Sequence, residues 1–401
     1  MPHPYQQHRE GVLQKPIVSR DKQLWYGYEG NLKKAIDVAD FYGFKLASPL
    51  SIEKEDRVHE KRHHCPAQHV AALRSFVTDE VHRGGTVRVA HTRRIPYKKD
   101  IELRLEIIGD RESSAEGLLF QTVQSILNEY DHKHITASIN SIGARESVAI
   151  FTQALANYFR PRLGDIETSC REAFKENTFA PMQCRHQKCM DARAEAPQSL
   201  NYLSEPSRRH FKEVLEYLES LGIAYTVDPS RLGSEHYSSR TIFSFADTTT
   251  NDIPADVPLV WGERYDHLAK KLGMRKSIPA LHATFLFDTE SPREKITLLK
   301  RAPREASVYL IQVGLQAKIR ALIVGEDLRK AHIRVTTTLH KNSVCEQMDE
   351  ARGLGVPFVV IIGQREVCEG TALVRHVTTN QQETIPLSQL SLYLKNRVRR
   401  A

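Results

Sequence analysis

The sequence predicts an α/β (α+β) protein in two parts. An antiparallel sheet core occupies 21–290, with a helical insertion at about 164–221. A C-terminal α/β domain with a mixed sheet occupies 305–401. Three observations carry this. Residues 101–108, IELRLEII, alternate strictly, with Ile101, Leu103, Leu105 and Ile107 on one face and Glu102, Arg104 and Glu106 on the other. The stretch 164–221 turns helical and polar. From 307 onward, strand and helix patterns alternate, which with right-handed crossovers implies a mostly parallel sheet covered on both faces.

Length and composition bound the reading. A chain of 401 residues with 40% apolar and 26% charged side chains can bury a large core in two or three domains. No apolar run reaches membrane-spanning length, and the N-terminal stretch lacks the apolar core of a secretory signal. Six cysteines are sparse for this length, so a reducing cytoplasm is the expectation, with no membrane partner. The net charge of +8 is a weak pointer to a polyanion. More than half of the excess lies in the last quarter of the chain, much of it at Lys395, Arg397, Arg399 and Arg400.

Residues 1–20 read as a loose arm. Spacing of Leu24, Ala35, Val38 and Ala39 predicts a helix over 22–42, stopped at Gly43, and 44–50 reads as a strand with Pro49 near its end. His59, His63, His64, Cys65 and His69 form a cluster that Pro66 interrupts, which favours a polar surface segment over a metal site. Residues 86–91 and 101–108 read as antiparallel strands joined by a loop over 93–100 that includes Arg94. A helix at 118–130, a strand at 135–142 and a helix at 147–160 follow. Ser204 with Pro206 opens a helix to 221. Strands are expected at 223–228 and 240–245. Trp261-Gly262-Glu263-Arg264-Tyr265-Asp266 reads as a tight turn feeding a helix from His267 to about Leu272, and 280–287 as a buried strand or helix start. A polar linker at 291–304 leads to strands at 307–313, 333–338, 357–363 and 372–376 and helices at 316–331, 344–354 and 387–398.

Several of these stretches together resemble the histidyl-tRNA synthetase family, class II aminoacyl-tRNA synthetases. Residues 261–266 resemble its Gly-Gly-Arg-Tyr-Asp signature, 135–143 its Leu-Glu-Ile-Asn-Ser-Leu-Gly, and Tyr237, Arg240, Thr241 and Phe243 its Tyr-x-x-Arg-Thr-x-Phe. The helix and strand at the start of the core resemble motif 1, which in the family builds a dimer interface, so the resemblance implies a homodimer. Residues 86–108 resemble motif 2. Gly355 to Gly363, GVPFVVIIG, resembles the anticodon-binding domain, which implies a tRNA or other RNA partner. Departures from the family pattern fall in one place. The ATP-holding arginine of motif 3 is matched by Thr289, the catalytic arginine by Gly233, with Arg231 two positions away, and the glutamate that binds the amino group by Ala67. The family's aspartate becomes His236.

Adenylate formation needs preorganised cations where charge builds on the α-phosphate. Their loss implies a catalytically degenerate paralog that keeps an RNA-binding or regulatory role, with no cofactor. An active divergent histidine–tRNA ligase, using ATP and Mg2+ with cations from Arg94, Arg231 or Arg240, is the alternative. A third reading is a chain like the regulatory subunit of ATP phosphoribosyltransferase. Ligand-pocket candidates are Tyr237, Arg264, Tyr265 and Asp266, although Arg264 to Asp266 could simply hold their turn together. RNA-contact candidates are Arg329, Lys330, Arg334, Lys395 and Arg397. Cys184, Cys189 and His186 could bind a metal, but two cysteines without a second pair are a weak signal, and no metal is expected.

Overall fold

The computed structural model describes residues 26–27, 29–47, 50–78, 85–94, 101–132, 134–247, 258–289 and 306–398. The expected arm at 1–20, the linker at 291–304 and the loop after Arg94 lie outside them. Fourteen strands in two sheets organise the described residues. The first sheet contains β1 (Tyr26–Gly27), β2 (Lys45–Leu46), β3 (Val87–Arg94), β4 (Ile101–Ile108), β5 (Ile135–Gly143), β6 (Ala224–Val227), β7 (Ser239–Asp247), β8 (Val260–Arg264) and β9 (Ala280–Thr289). Its order is β2-β3-β4-β9-β8-β7-β5-β6, with β1 alongside β9. The pairs from β3 through β4, β9, β8 and β7 to β5 are all antiparallel.

One face of this sheet carries the largest apolar core. Leu103, Leu105 and Ile107 of β4, Leu281, Ala283 and Phe285 of β9, and Phe243 and Phe245 of β7 point into a single apolar core. Helices Glu29–Phe41, Ser114–Glu129 and Glu205–Ser220 close that core with Val38, Leu119, Val123 and Val214. Period-2 alternation puts the intervening side chains on the opposite face. There the polar residues of β4 are buried along with the apolar ones, so this second face is covered rather than bathed in water.

The turn expected at 261–266 is mostly strand. Gly262 is present because of a close approach between strands, not because of a bend. A Cβ built on it would lie 2.0 Å from the His282 carbonyl oxygen and 2.4 Å from the Phe243 ring. Only the segment after Arg264 turns, into the short helix Leu268–Lys271. Arg93 and Arg94 likewise end strand β3 rather than start the loop.

The second sheet contains β10 (Val308–Gln312), β11 (Val335–Thr336), β12 (Phe358–Ile362), β13 (Thr371–His376) and β14 (Gln382–Pro386), in the order β11-β10-β12-β13-β14. Pairs β10/β11 and β10/β12 are parallel, and β12/β13 and β13/β14 antiparallel, so the sheet is mixed but not mostly parallel. The helix Gln364–Glu369 and strand β14 are additions to the expected elements. Helix Leu315–Lys330 serves two cores at once. Ala317, Ala321, Val324 and Leu328 pack on the second sheet. Ile319 and Leu322 belong to the core of the first. Polar bonds reinforce this seam: the Tyr42 hydroxyl donates to Glu326 at 2.7 Å, and Arg88 donates to the Thr337 carbonyl at 3.1 Å.

Candidate functional site

The covered polar face of the first sheet is the candidate site. Strand register lines up Glu106 of β4, His282 of β9 and Glu263 of β8 as cross-strand neighbours. The next row holds His91, Arg104 and Thr284. His69, from helix Ala67–Thr78, drops onto these rows from above. Its ring lies 4.2 Å from that of Tyr265 and 5.1 Å from that of Tyr237, centroid to centroid.

These side chains bond to one another. Arg104 Nε donates to Glu106 Oε1 at 2.8 Å, and a terminal nitrogen of Arg104 lies 3.3 Å from His69 Nδ1. The Tyr265 hydroxyl donates to the same Glu106 oxygen at 2.7 Å. Ser238 donates to Glu263, whose other oxygen lies 3.5 Å from His69 Nε2 and 4.0 Å from His282 Nε2. Most are shut from water: Arg104 is 5% exposed, Glu106 0% and His282 2%, while Glu263 keeps 13% of its side chain accessible.

Electrostatics follow from burial and pairing. Burial alone would raise Glu106, but Arg104, with His91 adding, more than offsets this and holds the carboxyl at about 2. Burial also opposes ionisation of Glu263, and bonds from His282 and His69 outweigh it, leaving its pKa well below the usual range. Burial, with Arg104 next, pushes His282 down to about 3. Burial depresses His69 in the same sense. At neutral pH Arg104 is therefore held as a cation, Glu106 and Glu263 as carboxylates, and His69 and His282 as neutral imidazoles. His69, Glu263 and His282 present three donor atoms within 4.8 Å of one another. A divalent cation could use that set, but the Arg104 guanidinium already sits on the other nitrogen of His69 and opposes added positive charge.

Arg264 is wholly internal. Its Nε and a terminal nitrogen grip Glu116 at 2.9 and 2.6 Å, and its other contacts go to the carbonyls of Asp110 and Glu112 and to Asp266. Glu116 also meets His210 Nε2 at 2.9 Å and accepts from Thr241 at 2.9 Å. Although burial opposes it, Arg264 and His210 keep Glu116 ionised far below the carboxylate range. Asp266 accepts from the Ala280 backbone at 3.1 Å, which ties the post-strand turn to β9. Arg264, Tyr265 and Asp266 thus act on the protein itself, as an ion pair, a sheet-face hydrogen bond and a turn tie.

The candidate cations are dispersed. Arg231 donates to Ser138 Oγ at 2.8 Å on β5, four strand positions from β4. Arg240, in a left-handed conformation at a register shift of β7, lies 2.9 Å from His210 Nδ1 and 3.6 Å from Asp266. Arg94 closes β3 at its far end. Its neighbour Arg93 pairs with Glu102 at 2.7 Å. Gly233, at the position matching the family's catalytic arginine, has φ +65°, and a Cβ there would lie 2.6 Å from Ser238 Oγ and 2.8 Å from a Glu263 oxygen. The loop has no room for a side chain at that position. Ala67 starts its helix buried, and His69 two residues on reaches the sheet face instead. Thr289 ends β9.

Two RNA-contact candidates turn to the core. Arg329 chelates Glu326 at 2.7 and 3.0 Å and reaches Glu129 of the core at 2.9 Å. Arg334 pairs with Asp40 of the core at 2.7 Å. Lys330 stays mostly exposed, 3.6 Å from Glu326. Arg397 pairs with Glu383 and stacks on the Tyr393 ring, and Lys395 is half-buried on the same helix.

Sequence reasoning missed Glu116, Glu263, His282 and the pair Arg104–Glu106. The alternation of β4 already held the signal for the pair. Glu116 gave none, since an acidic residue in the first turn of a helix is an ordinary feature of a sequence.

The antiparallel sheet, its buried polar second face and an appended mixed-sheet domain define a class II aminoacyl-tRNA synthetase fold with an anticodon-binding domain. A histidyl-tRNA synthetase from S. aureus superposes with a TM-score of 0.50 at 21% identity, covering 94% of this chain and 99% of that one. The family model "Anticodon binding domain" matches residues 307–397. Histidine–tRNA ligases from Thermosynechococcus vestitus and Desulforamulus reducens are each 27% identical, over 299 residues (73% of this chain, 68% of the relative) and 305 residues (75% and 71%). The chain is thus similar to histidyl-tRNA synthetases over most of its length, and to the anticodon-binding domain over its C-terminal part.

Proposed function

We propose that this chain is a member of the family that binds RNA through its C-terminal domain and forms no histidyl-adenylate. The state of the sheet face carries this reading. Arg104, Glu106, His69 and Tyr265 fill the polar face with bonds to one another and leave almost no water-accessible surface. Adenylate formation asks for cations aimed at a developing charge. Here Arg93, Arg104 and Arg264 are each neutralised by an internal carboxylate. Neither Gly233 nor Ala67 supplies the group expected at its position.

RNA binding is supported by the anticodon-binding match and by the charge of the last quarter of the chain. Lys330, Lys395 and Arg397 remain the contacts this reading assigns. A homodimer and a cytoplasmic setting are part of the same proposal.

Histidine-dependent exchange of labelled pyrophosphate into ATP, run beside an active synthetase, tests the catalytic half. Exchange above background overturns it and restores the ligase alternative. Filter binding to tRNA across a salt series tests the other half. Affinity should fall linearly on a log–log plot, with a slope set by the phosphates neutralised. A protein with no salt-dependent tRNA affinity is not an RNA binder.

A further inference from the structure

We propose that Cys170, Cys184, Cys189 and His186 bind one zinc ion that staples the helical insertion together. Folding brings the three cysteines together from three separate short elements. Cys170 lies in helix Thr168–Ala173, Cys184 follows helix Ala180–Gln183, and Cys189 lies in helix Gln187–Ala192. All three are free thiols, and their sulfurs lie within 4.8 Å of one another. His186 Nδ1 is 3.1 Å from the Cys184 sulfur and is the fourth donor. Zinc bonded tetrahedrally to sulfur at about 2.3 Å would hold the sulfurs roughly 3.8 Å apart, so closing the site needs only a small contraction. Three thiolates and an imidazole are a preferred structural zinc set, whereas a disulfide would leave one thiol over.

The backbone is arranged for thiolates. Glu167 N–H donates to the Cys189 sulfur at 3.3 Å, and His186 N–H to the Cys184 sulfur at 3.4 Å. Arg193 donates to the carbonyls of Met182 and Cys184 and so fixes the turn that carries two of the ligands. Buried Cys170 and Cys189 leave their sulfurs inward, while half-buried Cys184 and exposed His186 leave an entry side for the ion.

The insertion has a reason to need a staple. The three helices around the cysteines are four to six residues long, too short to persist on backbone hydrogen bonds alone. It also braces the loop over the sheet face. Thr178 N–H donates to Glu235, Gln183 to the Gly233 carbonyl, and His236 Nε2 lies 2.8 Å from the Glu176 carbonyl oxygen. Metal binding is thereby coupled to the position of the loop carrying Gly233 and Tyr237.

The test is metal analysis of the full-length protein purified from zinc-supplemented cells under reducing conditions, beside Cys184→Ser, Cys189→Ser and His186→Ala. About one zinc per chain is expected in the parent. The serine variants should lose an order of magnitude or more of it, and His186→Ala should bind more weakly. Cobalt titration of the unmutated, zinc-stripped chain provides a readout that does not depend on variants folding. Thiolate-to-cobalt charge-transfer bands with intense tetrahedral d–d bands are expected. Three results would overturn the proposal. One is a parent without zinc and without those bands. Another is zinc that survives the cysteine substitutions and is lost with His282→Gln. The third is a disulfide between any two of the three cysteines in protein kept under reducing conditions.

Discussion

Replacing Glu116 by Gln tests the claim that Arg264 is a structural clamp. The substitution keeps the volume of the side chain and removes its charge. It also turns an NH2 group toward Arg264, His210 or Thr241, all of which now place donors on that carboxylate. Both partners are 0% exposed, so water cannot solvate the orphaned guanidinium. Breaking a buried pair from one side costs about 3–5 kcal/mol. Against a total stability of roughly 5–15 kcal/mol, that is a large fraction. Urea unfolding followed by far-ultraviolet circular dichroism and by fluorescence should show a much lower midpoint with an unchanged slope. Removing both charges, as Glu116→Gln with Arg264→Met, should recover part of the loss, because an apolar replacement leaves no buried ion behind. A loss under about 1 kcal/mol for the single change would refute the reasoning, since the guanidinium would then have another partner or water.

Other outcomes follow from the same geometry. Stability should depend on pH in two stages. His282 has its folded pKa at about 3, below the free value of 6.5, so its contribution is complete above about pH 6.5 and is lost as pH falls toward 3. Glu106, at about 2 against 4.5, loses its contribution between those values, steepening the fall. The urea midpoint measured from pH 8 to pH 2.5 should show both slopes, and His282→Asn should flatten the upper one. Gly262→Ala should destabilise by about 3 kcal/mol or leave the chain insoluble, because its Cβ would strike the β9 backbone; unchanged thermal unfolding would contradict the strand packing. Lys395→Ala and Arg397→Ala should each reduce the salt slope of tRNA binding by about 1. Arg329→Ala should leave that slope alone and lower stability instead, as read by urea unfolding, because its partners are Glu326 and Glu129.

Residues 101–108 show how far the sequence was legible. Alternation identifies β4 and its two faces, but says nothing about what covers the second face. Only the strand order β4-β9-β8 places Glu106, His282 and Glu263 in one row, and their sequence separations carry no trace of it. The segment 261–266 was misread because glycine signals a bend locally, whereas here its missing side chain accommodates a neighbouring backbone. Arg329 and Arg334 looked like any exposed helix-end charges; docking of the second sheet on Asp40 and Glu129 decides their role. Cys170 was overlooked as a partner of Cys184 because thirteen residues in between fold back on themselves. Strand–helix alternation after 307, by contrast, read correctly in outline because each element there is bounded by its own turn residues.

Helix Leu315–Lys330 has a consequence for how the chain is policed in the cell. Ile319 and Leu322 complete the apolar interior of the first sheet, although they belong to the last quarter of the polypeptide. A nascent chain stalled before residue 315 would present a greasy recess to solvent, and so would a product clipped ahead of it. Chaperones and proteases recognise such surfaces. Completion of synthesis is thereby built into the interior of the first sheet: the earlier part is sealed only when the later part arrives.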